Sequence, residues 1–307
     1  MTITEFHQIE QIASLRSLLD SYRRQGRTVG LVPTMGALHP GHASLIRAAA
    51  LRCDIVVATI FVNPLQFAPS EDLAAYPRDL DGDRELAASS GASVLFVPTV
   101  SEMYPFGANH VLTTVSVAEI TSVLDGIVRP GHFDGVATVV AKLFAIAGPC
   151  SAFFGEKDWQ QLAVIRRMAA DLSMSVDIVG CPTMRESDGL AMSSRNRYLT
   201  AEDRLHASVL WRALQAGVRT IDDGERSPIA VSRRMRAVLD ACEVVRSVDY
   251  TSCVDPLTLA TPSSIDGEVR LLIAAHVGRA GASARLIDNC AASSLRNGVD
   301  QPSHIGS

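Results

Sequence analysis

The amino-acid sequence predicts an α/β protein in which a Rossmann-like domain with a parallel sheet precedes a smaller α+β C-terminal domain. Over the first 186 residues, short β-branched runs alternate with amphipathic segments of helical length, a pattern typical of βαβ units. After residue 186, two helical segments are followed by three strand-like segments, which indicates a separate domain. We expect domains at residues 1–186 and 187–290, and a polar, disordered tail at 291–307.

The elements of the first domain follow from hydrophobic periodicity. Apolar residues at helical spacing predict a helix over Ile9–Tyr22, and a buried strand follows at Val29–Val32, closed by Pro33. The run Ile55–Val62 is rich in apolar and β-branched residues, as expected of a central parallel strand covered on both faces. The other predicted elements are helices from Gly41 or His42 to Arg52 and over Asp79–Ser89, Gly135–Gly148 and Asp158–Leu172, and strands at Ser93–Val97, Ala152–Phe154 and Val176–Val179.

The second domain begins with segments of helical periodicity and ends with segments of strand character. Its helices are predicted at Ala201–Thr220 and Pro228–Ala241, and its strands at Ser247–Val254, Val269–Val277 and Ala284–Ile287. This grouping of helices before strands favours an α+β fold for the domain.

Composition and charge limit the classes of function. The chain of 307 residues is 47% hydrophobic and carries a formal net charge of −5, whereas a protein of nucleic acid or membrane surfaces needs a strong basic excess. Six cysteines occur without a C-x-x-C pair, which favours reduced thiols over a zinc ribbon or a disulfide scaffold. The sequence shows neither a signal peptide nor an apolar run of membrane-spanning length. We expect a cytoplasmic protein that binds neither nucleic acid nor membrane.

The first candidate site is the segment Pro33–His42, at the carboxyl end of the first predicted strand, where open α/β sheets bind ligands. Gly36 and Gly41 allow close backbone approach, and the start of the next helix offers free N–H groups to phosphate. His39 and His42 are three residues apart and would face the same way on a first helical turn. Both imidazoles could therefore bind phosphoryl oxygens.

Two alternatives apply to this segment, namely a metal site built on two histidines and a helix start whose histidines have no function. A metal ion needs further ligands, and none is spaced helpfully nearby. The strand-loop-helix context favours phosphate chemistry over both alternatives.

Two further segments have the chemistry of phosphate sites. Gly155-Glu156-Lys157-Asp158 follows a predicted strand, so that the lysine could reach a phosphate and the aspartate could cap a helix or contact a sugar or metal. Met192-Ser193-Ser194-Arg195 combines two hydroxyls with a guanidinium among turn formers, which suits a mobile loop that closes over a triphosphate. Taken alone, each segment favours its structural alternative, which is a charged surface turn for the first and an ordinary linker for the second.

Gln66 and Gln161 are candidates for binding a small polar substrate, because an amide donates and accepts hydrogen bonds at once. Either glutamine could equally be a surface residue. Four weaker candidates, each more typical of a structural position, are Tyr76, Asp83, Arg129 and His132.

Taken in order, these segments resemble the pantothenate synthetase family. The motifs that carry the resemblance are LVPTMGALHPGH at 31–42, FVNPLQF at 61–67, YPR at 76–78, RPGHF at 129–133, FFGEKD at 153–158, DGLAMSSRN at 188–196 and RLIDN at 285–289. Each motif alone is moderately specific, whereas the ordered set from about Val29 to Leu199 is very specific.

The resemblance implies a nucleotidyltransferase-superfamily domain, a C-terminal domain that acts as a lid, and a homodimer. It also implies a reaction in two steps that uses ATP and Mg²⁺. Pantoate attacks the α-phosphorus of ATP to give pantoyl adenylate and pyrophosphate. β-Alanine then attacks the activated acyl carbon, which releases AMP and pantothenate, a coenzyme A precursor.

The resemblance also implies roles for individual residues. His42 would be the catalytic proton donor, and His39, Lys157 and Arg195 would join it in stabilising charge at the α-phosphorus. Gln66 would contact pantoate and the β-alanine site, and Gln161 would contact pantoate. The residues expected to contact ATP are Met35, Gly36, Ala37, Leu38, His39, Pro40, Gly41, His42, Gly155, Glu156, Lys157, Asp158, Met184, Met192, Ser193, Ser194 and Arg195.

Three positions depart from the family pattern. Asp125 stands where glutamate is usual, and Val128 replaces a residue that is usually small or polar. Gly82 occupies a place where some members carry an acidic residue, which leaves Asp83 as the local candidate for helping to bind magnesium. The segment 279–283 looks like an insertion before the final strand.

Two other functions stay open at this point. A nucleotidyltransferase of the same superfamily that acts on a phosphate ester would share the first histidine loop but lack the segments Phe61–Phe67 and Arg129–Phe133. A nucleotide-binding regulatory protein without turnover is disfavoured by the potential catalytic groups His42 and Lys157.

Overall fold

A parallel sheet of six strands forms the centre of the first of two units in the computed structural model, which describes residues 6–67, 76–279 and 283–294. The strands are β1 His7–Ile9, β2 Val29–Thr34, β3 Ile55–Ile60, β4 Val94–Phe96, β5 Cys150–Gly155 and β6 Val176–Cys181. They lie in the order β1-β4-β3-β2-β5-β6, and each neighbouring pair runs parallel. The predicted Rossmann-like sheet is confirmed.

Helices connect these strands and cover the sheet. The sequence starts α2 with a proline, which is favourable because a first-turn N–H has no partner within the helix. The helix α6 is buried over most of its surface because it packs against α1, α7 and β2. The helices of this unit are α1 Ile12–Arg24, α2 Pro40–Ala50, α3 Leu80–Ser89, α4 Val100–Met103, α5 Asp125–Val128, α6 His132–Ala147 and α7 Trp159–Asp171.

The strand order reverses at β2, which leaves a crevice at the carboxyl edge of the sheet. From β2 the chain builds β3 and β4 on one side and then returns to place β5 on the other. β2 pairs with β3 as far as Thr34 but with β5 only at Gly30 and Leu31. The last residues of β2 and β5 are therefore not paired with each other, and this is the position where open α/β sheets bind ligands.

The sequence predicts that Pro33 closes β2, but the strand continues to Thr34. The carbonyls of Thr28 and Thr34 accept hydrogen bonds from Ile55 and Phe61 on the β3 side. Alternate residues of a parallel strand face opposite neighbours, so Pro33 faces the β5 side, where pairing has ended. Its missing N–H leaves no ladder hydrogen bond unmade there.

The second unit has the predicted α+β fold. It contains the helices α8 Ala201–His206, α9 Val209–Asp222 and α10 Pro228–Asp240, and an antiparallel sheet of β7 Val245–Val254, β8 Glu268–Val277 and β9 Ala284–Ser293. Its core lies between α9, α10 and the sheet, where Leu210, Met235 and Leu271 are fully buried. The prediction of a single helix over Ala201–Thr220 is wrong. The Ala207 N–H donates to the Arg204 carbonyl and the Leu210 N–H donates to the Ala207 carbonyl, and these hydrogen bonds, which span three residues instead of four, separate α8 from α9.

The first unit comprises Met1–Ser187 and Ala191–Asn196. The second unit comprises Asp188–Leu190 and Arg197–Ser307. The segment 192–195, which the sequence places in the second domain, belongs to the first unit. The Met192 N–H donates to the Met184 carbonyl at 2.9 Å, and Arg185 forms an antiparallel bridge with Ala191. This hairpin ties the segment to the end of the sheet domain.

The ends of the chain also differ from the prediction. The sequence predicts a helix from Ile9, but His7–Ile9 forms the edge strand β1, which is too short to show an alternating pattern. The strand β9 extends to Ser293, into the segment predicted to be disordered from residue 291, because Ala291 and Ala292 continue the ladder with β8. The rest of that tail, residues 295–307, lies outside the described residues.

In the part of the chain that the structure describes, no helix combines the length and the apolar character needed to cross a membrane.

Gly135 provides a test of the packing between α6 and the turn Pro64–Gln66. A Cβ at Gly135 would lie 2.1 Å from the Leu65 carbonyl oxygen, so the backbone would have to move. We expect Gly135→Ala to lower the free energy of unfolding by about 1–3 kcal/mol, because overpacking outweighs the higher helix propensity of alanine.

Urea unfolding followed by circular dichroism measures the change. Gly155→Ala is the matched control, because a Cβ there meets nothing within 4 Å. Equal stability of the two variants would contradict the close approach of α6 to the turn.

Candidate active site

Two loops that leave the sheet at the crevice carry most of the predicted phosphate-binding residues. The loop after β2 contains Met35–His42, and the turn after β5 contains Glu156–Asp158. Because β2 and β5 are neighbours whose carboxyl ends do not pair with each other, the two segments border the same opening.

The loop after β2 has a backbone that few sequences can adopt. Gly36 has a φ of 86° and Ala37 a φ of 50°, both in the left-handed region. The loop ends at His39, which caps α2: its Nδ1 accepts a hydrogen bond from the Gly41 N–H at 3.1 Å. His42 completes a reciprocal cap, since its Nδ1 accepts from the His39 N–H at 3.3 Å.

These caps determine which nitrogen of each imidazole carries the proton. A neutral imidazole carries one N–H, and an Nδ1 that accepts a hydrogen bond leaves the proton on Nε2. The ring centroids of His39 and His42 are 4.1 Å apart, so the two Nε2–H groups form a pair of donors. Burial lowers the pKa of His42 to about 3, and the neighbouring His39 contributes to this shift. At neutral pH His42 is therefore an uncharged hydrogen-bond donor.

The carboxylate of Asp83 stabilises the loop after β2. Its side chain is buried, and its carboxylate oxygens accept hydrogen bonds from the N–H groups of Ala37 at 2.8 Å and Leu38 at 2.6 Å. The sequence predicts that Asp83 helps to bind magnesium, but both of its oxygens already contact the loop backbone. Among the residues that the structure describes, no group of three or more histidine, cysteine, aspartate or glutamate side chains could hold a metal ion. The geometry therefore makes Asp83 an anchor of the loop.

The turn after β5 presents charged groups. The Lys157 Nζ lies 3.7 Å from an Asp158 carboxylate oxygen, and the lysine side chain is only 17% exposed. Burial alone would raise the pKa of Asp158, but the positive charges of Lys157 and Arg195 outweigh it and hold that pKa below its ordinary value. Glu156 lies beside Gly180 of the neighbouring strand β6, and at Gly155 the backbone is open to close approach. Lysine, arginine and ionised aspartate therefore share one site.

The segment from Met192 to Arg195 lies beside the histidine loop. A Cβ built on Gly41 would be 3.8 Å from the Cβ of Met192. The Ser193 hydroxyl accepts from the Arg195 N–H at 3.2 Å and shapes the turn that begins at Ser194. Met184, whose carbonyl pairs with the Met192 N–H, is 40% exposed. The structure thus brings the three predicted phosphate-binding segments together.

A cavity of about 190 Å³ opens beneath these segments. Gln66 and Gln161 both line it, together with His42 and Asp158. The remaining lining is mostly apolar and consists of Pro33, Thr34, Met35, Phe61, Tyr76, Val136, Val139, Val140, Leu143 and Phe154. An apolar floor with a few convergent amides suits a small acid that has both hydroxyl groups and a branched hydrocarbon part.

The sequence does not identify two buried amides that shape this cavity. The Asn63 Oδ1 accepts from the Tyr104 hydroxyl at 2.7 Å, and its Nδ2 donates to the Gly135 carbonyl at 3.1 Å. The Gln160 Oε1 accepts from the Asp125 N–H, and its Nε2 donates to two backbone carbonyls, each at 2.8 Å. The Asn-Pro dipeptide at 63–64 is a turn signal that could have identified the first. Nothing in the sequence separates Gln160 from its neighbour at 161.

The chain is similar to known proteins over most of its length. A family model described as pantoate-beta-alanine ligase matches residues 7–291. The chain is 50% identical over 281 residues to the pantothenate synthetase of Moorella thermoacetica, a match that covers 92% of this chain and 96% of that protein.

Solved structures show the same similarity. The pantothenate synthetase of Thermus thermophilus matches with a TM-score of 0.85 and 46% identity, covering 93% of this chain and 99% of that one. A pantoate-beta-alanine ligase of Francisella tularensis, complexed with beta-gamma ATP and beta-alanine, matches with a TM-score of 0.74 and 32% identity over 93% of this chain and 97% of that one.

The anchoring of the loop by Asp83 can be tested by amide hydrogen exchange. Asp83→Asn keeps the side-chain size but removes the charge and points an amide group at the backbone N–H groups. We expect local stability at Ala37 and Leu38 to fall by about 2 kcal/mol, since hydrogen bonds to charged groups contribute about 1.5–3 kcal/mol. Asp81→Asn, an exposed position on the same turn, is the control. Unchanged exchange at Ala37 and Leu38 in the Asp83 variant would contradict the anchor.

The lowered pKa of His42 predicts a pH dependence of stability. The unfolded chain protonates this histidine below its ordinary pKa of 6.5, whereas the folded protein does so only at about 3. Between these values the unfolded state binds more protons, so the free energy of unfolding falls as the pH falls. We expect His42→Asn, which keeps an acceptor for the His39 N–H, to show a smaller fall.

Urea unfolding at a series of pH values between 6.5 and about 3 measures this difference. The control is His110→Asn, at an exposed position, which should follow the unsubstituted protein. Parallel curves for the His42 variant and the unsubstituted protein would show that the imidazole is not kept neutral by the fold.

Proposed function

The chain belongs to the pantoate-beta-alanine ligase family, and we propose that it carries out this ATP-dependent ligation in the crevice between β2 and β5 through a pantoyl adenylate. The observation that carries the proposal is the cavity in which Gln66 and Gln161 meet His42 and Asp158. In this proposal a pocket for a small hydroxy acid lies directly beside the loops that bind the phosphates. An apolar floor fits the two methyl groups of pantoate and would not suit a phosphate ester.

In the first step a carboxylate oxygen of pantoate attacks the α-phosphorus of ATP. The bond from that phosphorus to the bridging oxygen of the β-phosphate breaks, and pyrophosphate leaves. A carboxylate has no proton to lose, so the step needs no general base. It needs groups that stabilise the charge that builds up on the phosphoryl oxygens.

The Nε2–H groups of His39 and His42 provide such stabilisation as neutral donors in fixed positions. Both rings are held through Nδ1 by the start of α2, so little reorganisation is required when the charge develops. We therefore assign His42 the role of hydrogen-bond donor to the phosphoryl group. This assignment refines the expectation of a proton donor, because the proton can remain on the ring throughout the step.

Lys157 and Arg195 supply the positive charge of the site. The small exposed fraction of the Lys157 side chain reduces solvent screening, and the ionised Asp158 orients the ammonium group. We propose that both cations contact the triphosphate, together with the hydroxyls of Ser193 and Ser194. The other residues of the proposed ATP site are Met35 to Gly41, Gly155, Glu156, Met184 and Met192.

Magnesium enters this scheme as part of the substrate, bound to ATP. Mg²⁺ is usually held by one or two carboxylates together with phosphate oxygens and waters, and it does not require a complete protein cage. The absence of a preformed acidic cluster among the described residues is compatible with this mode.

In the second step the amine of β-alanine attacks the acyl carbon of the adenylate. A C–N bond forms, the bond from the acyl carbon to the AMP oxygen breaks, and the proton that the nitrogen loses passes to the departing phosphate group of AMP. Because an acyl adenylate hydrolyses in water, the site must be closed during its lifetime. We propose that the second unit acts as this lid, that Gln66 also contacts the incoming amine, and that the enzyme works in the cytoplasm as a homodimer.

Half-reactions with Lys157→Ala test the assignment. Loss of the cation should slow pantoate-dependent pyrophosphate release on the order of a hundredfold, as for removal of an oxyanion donor. The second half-reaction, started from supplied pantoyl adenylate and β-alanine, should slow much less because its leaving group carries only one phosphate.

Arg167→Ala is a suitable control, since this arginine lies on the helix that follows the same turn and its ion pair with Asp171, at 2.6 Å, is exposed to solvent and therefore contributes little to stability. Equal slowing of both half-reactions by Lys157→Ala would indicate a structural role for the lysine.

A further inference from the structure

His132, the first residue of α6, joins two parts of the site. Its Nδ1 lies 2.9 Å from the carbonyl oxygen of Gln66, the residue whose side chain lines the cavity. Its Nε2 lies 2.9 Å from Nη1 of Arg129. The imidazole therefore sits between a backbone acceptor on one side and a guanidinium on the other.

These two contacts are compatible with a single protonation state of the ring. A carbonyl oxygen only accepts hydrogen bonds, so Nδ1 must carry the proton, and a guanidinium only donates, so Nε2 must carry the lone pair. Arg129 thereby selects the tautomer that donates to Gln66. The arginine acts on Gln66 through the histidine, as outer residues do when they orient the ligands of a metal site.

The turn that carries Gln66 needs such external support. Residues Pro64–Gln66 form one turn of 3₁₀ helix, a conformation with poor internal hydrogen-bond geometry. Asn63 supports its start through the Leu65 N–H at 3.3 Å, and Gly135 allows α6 to approach closely at Leu65. His132 supports its end, at the carbonyl of the residue that faces the cavity.

We infer that His132 is a positioning residue that fixes Gln66 for binding of the acid substrate, and that Arg129 holds His132 in the required tautomer. The inference rests on the proposed function, in which Gln66 binds pantoate. Neither residue is assigned a contact with the reacting atoms. A small displacement of a positioned group can cost on the order of a hundredfold in rate, so support from a neighbouring helix has a measurable effect.

The matched pair His132→Asn and His132→Leu tests the inference. The two side chains have nearly the same shape, but only asparagine places an N–H near the position of Nδ1. We expect His132→Leu to raise the pantoate KM roughly tenfold to a hundredfold, and His132→Asn to recover most of this loss. The affinity for ATP, measured by equilibrium titration, should remain close to that of the unsubstituted protein in both variants.

A double-mutant cycle with Gln66→Ala shows whether His132 acts through Gln66. If it does, His132→Leu adds little to the KM of the Gln66→Ala variant, because residues that act as a unit are not additive. Arg129→Met provides a second probe should the leucine variant fail to fold. It should raise the pantoate KM in the parent and have little effect in Gln66→Ala.

The possible outcomes distinguish the inference about His132 from the proposal that Gln66 binds pantoate. An unchanged pantoate KM in Gln66→Ala would overturn the pantoate-binding role of Gln66 and, with it, the inference. If Gln66→Ala raises the pantoate KM, and His132→Leu or Arg129→Met raises it further by the same factor as in the parent protein, only the inference would be overturned. Equal defects in the asparagine and leucine variants would also overturn it, because ring shape and not the N–H would then matter.

Discussion

The separation of β2 from β5 after Leu31 is the constraint on which the site depends. The two strands stop pairing with each other before either strand ends. Their loops therefore diverge and leave room for a ligand between them. Most groups with a proposed chemical role follow one of these strand ends or lie on α6 or α7. The others lie on the turn after β3 or on the hairpin that follows β6. A continuous ladder to Thr34 and Gly155 would close the cavity.

The polar groups around this opening are arranged in two layers. The inner groups, such as the Nε2–H donors of His39 and His42, are those that we propose contact the ligand. The outer groups, Asp83, Asn63 and Gln160, are buried and make hydrogen bonds to the backbone, and Asn63 also accepts one from the Tyr104 hydroxyl. Because a buried polar group without a partner is costly, the outer layer specifies one loop conformation as well as stabilising it.

The sequence predicts the elements that have a strong period and the loops that follow them, because both signals are local. The parallel sheet and the C-terminal α+β unit are found in this way, and the three segments that we propose bind phosphate are predicted from the same local signals. The hydrogen bonds between Asp83 and the loop are not predicted, because they depend on which backbone lies opposite the carboxylate, a contact with residues far away in the chain. The extension of β2 through Pro33 is missed for a similar reason, since only the loss of the β5 partner makes a proline tolerable there.

The capping of α2 by its own histidines has a consequence for the turnover cycle. Rings that donate hydrogen bonds without releasing the proton leave each round of reaction in the state in which they entered it. No proton has to be returned to the protein from bulk water before the next nucleotide binds. In the proposed scheme the site can therefore exclude water between the two steps without any exchange of protons between these histidines and the solvent.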